Sequence, residues 1–219
     1  MATAIAGLWK RSCVSCEPRS RVSTAPRARL PEPKPTDRSD AQASEATLHD
    51  ATTLLDEALD SWDDVRTGLI HEVRNIPAAG WDFRPTPEMR SVRELAVHVL
   101  EVAMMMTGEL TRDDTNLRRA PWPKLLRQYA GAAYRAKTRA DLLSLLKSQL
   151  RDGIKRFRAA GELHMLQHIE RFDGKTGTRL AWLMHGIDQE MYHRGQITVY
   201  ARLLGIEPAL TKRIRGSGS

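Results

Sequence analysis

From Ser44 onward the chain repeats apolar residues at threes and fours, the spacing of one buried helix face. Leu48, Leu54, Leu55, Leu59, Trp62, Val65, Leu69, Ile70 and Val73 trace the first such face. Pro77, Gly80, Pro85 and Pro87 end it. Ser91 with Glu94 three residues on is a capping box. It opens a second helix through Leu95, Val99, Val102, Met105 and Met106 to the neighbourhood of Leu110. A polar connection with Pro121 and Pro123 leads to a short helix over 125–136. Thr138 and Asp141 predict the start of a third long helix carrying Leu142, Leu143, Leu146, Leu150, Ile154 and Phe157, which Gly161 stops. DGKTG at 173–177 reads as a turn, and a fourth helix over 178–204 is closed by Gly205, with Pro208 soon after. No segment reads as a strand. Four long amphipathic helices without an internal repeat predict an all-α fold, one four-helix bundle over residues 45–212.

The ends change character. Residues 1–44 are rich in Arg, Ser, Ala and Pro, with five of the 11 prolines between Pro18 and Pro35, and bury too little apolar surface to fold alone. A disordered basic extension is expected there. Its first 16 residues carry Lys10 and Arg11 and no acid, as organellar transit peptides do, so an organellar address stays open beside a cytoplasmic one. Residues 213–219, ending in GSGS, are expected to be a flexible tail. Both cysteines, Cys13 and Cys16, lie in the extension. A structural zinc site needs about four ligands and a redox C-x-x-C needs a βαβ setting, so two thiols in a flexible segment is the expectation.

Charge and hydropathy then argue against a nucleic-acid partner and exclude a membrane span. The net charge of +7 suggests nucleic acid, but +4 of it falls within residues 1–40 and aromatics are only 5%. A folded nucleic-acid surface concentrates basic residues beside stacking aromatics, so this partner is argued against. The longest apolar run, VHVLEVAMMM at 97–106, is interrupted by His98 and Glu101 and is far short of the ~20 residues that span a bilayer.

The chemistry concentrates in HGIDQEMYHRGQITVYARLLG at 185–205. Residues four apart stack on a helix, so His185, Gln189 and His193 share one face. His98 shares the inward stripe of the second helix with Leu95 and Val102. A buried histidine must hydrogen-bond or bind something, so a satisfied core residue and a metal ligand are both open readings. The other singled-out residues read plainly. Glu190 is either an E-x-x-H ligand beside His193 or an ion-pair partner of Arg194, and Gly195 implies a close neighbouring helix. Trp81 is expected to pack the connection onto the bundle end, Tyr200 to be core, and His71 and His164 to be solvated.

WDFRPTPEMRSVRELAVHVLE at 81–101, taken with HRGQITVYARLLGIEP at 193–208, resembles the DinB/YfiT-like superfamily over residues 50–210. That resemblance implies a four-helix bundle, often a homodimer, with a divalent metal held by three histidines. One comes from the second helix and two from the fourth. His98 and His193 match two of these positions; the third falls on Gln189. The implied ligand set is therefore His98, Gln189 and His193, with Zn²⁺ or Ni²⁺ as the ion. A neutral carboxamide is a much weaker ligand than imidazole. His185 lies about 12 Å along the axis from His193 and cannot join it on one ion. The implied activity is that of a metal-dependent enzyme acting on a small-molecule substrate with a low-molecular-weight thiol for transfer or isomerisation, hydrolysis being a variant. The alternative is a non-catalytic, stress-related bundle with a degenerate site.

Overall fold

The structure, a computed structural model, describes residues 52–217, so the expected extension over 1–44, its C-x-x-C and the approach from Ser44 lie outside the described residues. Four long helices dominate: α1 (Leu54–Asn75), α2 (Val92–Leu110), α5 (Arg139–Ala160) and α7 (Arg179–Leu203). Each begins at a hydroxyl side chain that accepts a backbone N–H from the first turn: Thr53, Ser91, Thr138 and Thr178. At the first three an acid at the third helical position completes the box. Gly161 and Gly205 follow α5 and α7 with φ of 81° and 74°, a conformation that disfavours any side chain.

Shorter elements fill the connections. The expected helix over 125–136 begins earlier and divides in two, α3 (Trp122–Tyr129) with Pro123 in its first turn and α4 (Gly131–Arg135). After α6 (Glu162–Met165), two strands appear where none was predicted, β1 (His168–Glu170) and β2 (Thr176–Thr178). They pair antiparallel with Ile169 opposite Gly177. Three residues are too few for an alternating pattern to stand out, and only Ile169 is buried. The segment expected to be flexible from 213 instead belongs to a further helix, α8 (Ala209–Ser217). Its first amides, on Ala209 and Leu210, donate to the buried Glu72 carboxylate of α1 at 2.9 and 3.0 Å.

Among the long helices α1 packs on α5 and α7, and α2 packs on the same two. The consecutive helices α1 and α2 therefore lie across the diagonal, and the connection over 76–91 must cross the bundle end. Trp81 is buried there, as expected. This arrangement sets α2 beside α7, which brings their histidines within reach.

The core is split in two. One apolar cluster holds Leu59, Trp62, Met105, Met106, Phe157, Trp182 and Leu183; the other holds Leu69, Val73, Leu95, Val99, Leu146, Ile197 and Tyr200. Along every long helix the change of cluster falls near its middle. At that level sit the polar residues Arg66, Gln149, Glu190 and His193, all buried. Polar groups at mid-height must find partners or stay costly.

Candidate metal centre

His98 and His193 face each other across the α2–α7 interface, with ring centroids 5.1 Å apart and planes at 80°. The same device orients both rings. Each has an oxygen acceptor three residues further along its own helix: His98 Nδ1 lies 3.1 Å from Glu101 Oε2, and His193 Nδ1 lies 2.7 Å from Gln196 Oε1. The hydrogen bond from His98 holds the Glu101 carboxyl below the usual carboxylate range, against the opposing effect of burial. A carboxylate and an amide oxygen can only accept, so both rings carry their proton on Nδ1 and keep the lone pair on Nε2. Neither Glu101 nor Gln196 was singled out from the sequence, though the repeated i+3 spacing was visible.

His193 is 5% exposed, and its Nε2 is buried with no hydrogen-bond partner among the described residues. Burial pushes its pKa down, partly offset by the Gln196 hydrogen bond, and keeps the ring neutral. His98 is less covered, with 14% of its side chain exposed. Gln189 Nε2 stands 3.3 Å from His98 Nε2 and donates to it. Turning that carboxamide over would present its oxygen instead. The three residues predicted as one site are thus brought together.

A family model for the DinB family matches residues 48–215. The chain belongs to the DinB family. Solved structures agree on the fold. YfiT from Bacillus subtilis is described as a probable metal-dependent hydrolase with an unusual four-helix bundle topology. It shares 16% identity at a TM-score of 0.56, over 72% of this chain and 93% of its own. The DinB-like protein YjoA, also from Bacillus subtilis, shares 19% identity at 0.52, over 68% and 92%. A candidate DinB-family member from Exiguobacterium sibiricum shares 24% at 0.52, over 71% and 95%. No curated protein matches the chain.

Against the three histidines that the family resemblance implies, this chain offers a reduced donor set. Among the described residues no group of three or more His, Cys, Asp or Glu side chains converges on one point. Two imidazoles and a carboxamide remain, and their placement fits an ion. With Zn–N bonds of about 2.0–2.1 Å and a tetrahedral angle, two rings sharing an ion have centroids about 5.2 Å apart. The spacing of His98 and His193 is close to that value, and of the buried side-chain nitrogens left without a partner among the described residues, His193 Nε2 is the one that carries a lone pair.

Glu190, weighed as a substitute ligand, is already taken, and its expected pairing with Arg194 does not form. Its carboxylate receives Arg66 Nε at 2.7 Å, Arg66 Nη2 at 2.5 Å and Trp62 Nε1 at 2.8 Å. Arg66, wholly buried, also donates to Gln149 Oε1 at 2.8 Å and to the Leu146 carbonyl at 3.0 Å. Arg194 instead lays its guanidinium over Gly68 of α1. The Arg66–Glu190 partnership spans 124 residues of sequence, and no local pattern announces it.

His185 stacks on Trp182 with centroids 4.7 Å apart and takes no part in the pair. His164, expected to be solvated, bonds the Leu110 carbonyl through Nε2 at 2.9 Å, while His71 is exposed as expected. Tyr200 is core, its hydroxyl donating to the Arg90 carbonyl at 3.0 Å. Gly195 has no neighbour among the described residues: nothing lies within 4 Å of where its Cβ would stand, so the close helix expected there is not among them.

Gln189 opens into a cavity of about 500 Å³ walled mainly by Met106, Trp122, Phe172, Trp182 and Tyr192. His185, Asp188 and the Tyr192 phenol are the titratable groups of its lining. His98 and Glu101 line a separate, more polar cleft with Arg84, Arg90 and Glu94.

Proposed function

We propose that this DinB-family protein is a metal-dependent enzyme that activates a small nucleophile, a low-molecular-weight thiol or water, beside a largely apolar substrate cavity. The observation that carries the reading is the pair of Nε2 lone pairs, both set by Nδ1 hydrogen bonds, one of them buried and without a partner. His98 and His193 would hold a divalent ion, Zn²⁺ or Ni²⁺, and Gln189 would complete the protein ligands through its oxygen. Such an ion supplies a Lewis acid that lowers the pKa of a thiol or a water. Glu101 and Gln196 fix the tautomer and aim of the two rings, the work of outer partners in metal sites. The aromatic wall of Trp122, Phe172 and Trp182 excludes water and receives the apolar part of the substrate. Asp188 and His185 at the lining are placed to exchange a proton with it. The described residues contain no cysteine, so a reacting thiol would arrive with a ligand. Support for the hydrolytic variant comes from YfiT, described as a probable metal-dependent hydrolase.

The Gln189–His98 hydrogen bond favours a second reading, a non-catalytic bundle whose polar cluster satisfies itself. Elemental analysis after incubation with Zn²⁺ or Ni²⁺ separates the two. The proposal expects about one ion per chain in the native protein, loss of that ion in His98→Ala and in His193→Ala, and tighter binding in Gln189→His. A native protein that stays empty while Gln189→His fills would establish the second reading. Given loading, stabilisation of the loaded protein by a low-molecular-weight thiol supports the thiol variant, and indifference supports water.

A further inference from the structure

The histidine pair lies where α2 meets α7, and the opposite interface of the bundle, between α1 and α5, carries a groove of its own. Its volume is about 790 Å³, larger than the cavity beside Gln189. Three aliphatic side chains make the floor: Ile70 and Leu150, both buried, and the half-buried Ile154. The walls carry charge, and α5 supplies most of it. Lys147, Arg151, Lys155 and Arg158 recur at fours and threes, so one cation per turn follows that wall for about 16 Å. Their aliphatic stems extend the apolar surface while the charged heads stay in water.

The two ends of the groove differ. Helices α1 and α5 run antiparallel: Arg139 donates to the Arg74 carbonyl at one end, and Arg158 pairs with Asp56 at 3.5 Å beyond the other. Toward the first end the groove is lined by Arg74, His71 and Lys147, with no acid among the lining residues there. Neither Arg74 nor Lys147 has an ion pair among the described residues. Toward the second end Asp60 and Asp63 face Arg151, Lys155 and Arg158 and balance them in part. A uniformly charged polyanion laid along the groove would be repelled by those carboxylates. A ligand with one anionic head and an uncharged body meets no such cost. Its head sits among Arg74, His71 and Lys147, and its body covers Ile70, Leu150 and Ile154. One guanidinium fork beside one ammonium suits the flat, singly charged carboxylate. From Arg74 to Asp60 the groove follows α1 for about 21 Å, room for an extended alkyl chain.

We infer that the α1–α5 groove binds a medium- or long-chain carboxylate, its head toward Arg74 and Lys147 and its chain along the aliphatic floor. The site is separate from the histidine pair and does not depend on the chemistry proposed there.

Equilibrium dialysis of the full chain against decanoate, kept below its micelle concentration, tests the inference. A single decanoate per chain should bind. Hexanoate should bind about tenfold or more weakly, because it covers less of the floor. Decyltrimethylammonium, with the same chain and the opposite charge, should bind at least as poorly. Arg74→Glu and Lys147→Glu should each weaken decanoate by about fivefold or more, whereas Asp60→Asn should leave it unchanged or tighter. Both reversals fall at exposed side chains, so the variants should fold as the native chain does. Tyr192→Ala, in the cavity beside Gln189, should have no effect. Absence of decanoate uptake overturns the inference, and so does uptake indifferent to both head-end reversals. Uptake lost in Tyr192→Ala but kept in Lys147→Glu would place the chain in the other cavity and overturn it too. Retention on phosphatidylglycerol vesicles without uptake of free decanoate would give the cations to a lipid surface instead.

Discussion

Gln189 and Glu190 are neighbours in sequence, yet they serve polar clusters of opposite character at the middle of one bundle. The Glu190 cluster is closed. Both carboxylate oxygens, the Arg66 guanidinium and the Gln149 oxygen find charged or polar partners, and the group is sealed between two apolar cores. The Gln189 cluster is open. It borders a cavity, its histidines are oriented by acceptors behind them, and one buried nitrogen is left with nothing to bind. A satisfied polar layer belongs to architecture. A buried lone pair held in place and left over is a demand for a ligand. The hundred-degree step between successive residues of α7 is all that separates the two roles.

The sharpest way to break this comparison is to unpair the closed cluster. Arg66→Met should cost about 3–5 kcal/mol in urea unfolding, because it strands the Glu190 carboxylate in the interior. Adding Glu190→Leu should recover most of that loss. His98→Ala should cost about 1 kcal/mol or less by the same measurement, since its ring is partly exposed and shares few bonds. If the two single variants proved equally damaging, the division into structural and ligand-binding clusters would fail.

Smaller effects sharpen the open cluster. Glu101→Ala and Gln196→Ala each remove the acceptor behind a ring without touching a ligand atom. Each should weaken Zn²⁺ binding by about 10–100-fold in a competition titration while leaving unfolding nearly unchanged. Unaltered affinity would mean the tautomers are set by something else. The smallest effect is on pH dependence, measured with a chelator present. The His193 pKa is depressed in the folded chain, so above about 6.5, the ordinary histidine value, both folded and unfolded chains are neutral there and the residue contributes nothing. As the pH falls below that value the unfolded chain takes up a proton that the folded one resists, and stability declines until the folded pKa is reached. His193→Gln should therefore show a flatter loss of stability between neutral and mildly acidic pH than the native chain. Parallel curves would contradict a buried, neutral ring.

The bundle was legible because its signals are local. Thr138 with Asp141 and Ser91 with Glu94 mark helix starts within four residues, and Gly161 and Gly205 mark ends by the backbone conformation they alone adopt easily. The pairing of His98 with His193 was reachable only through resemblance, since it depends on α2 lying beside α7 rather than beside α1. What stayed hidden is set by register between distant helices. Glu190 reads as a ligand beside His193 or as a partner of Arg194 one turn on, and packing gives it instead to Arg66 far upstream. The hairpin of β1 and β2 escaped for a different reason. Its pairing rests on backbone hydrogen bonds and a single buried isoleucine.

The junction between Glu72 and α8 has a practical consequence. A carboxylate inside the protein receives the first amides of the last helix, so the chain is latched to itself near its C-terminal end. Trimming the protein after Pro208 would do more than shorten it. It would strip an anion of its donors and of the helix packed over it, so expression truncations there should lower stability, whereas fusions placed after Ser217 should be harmless.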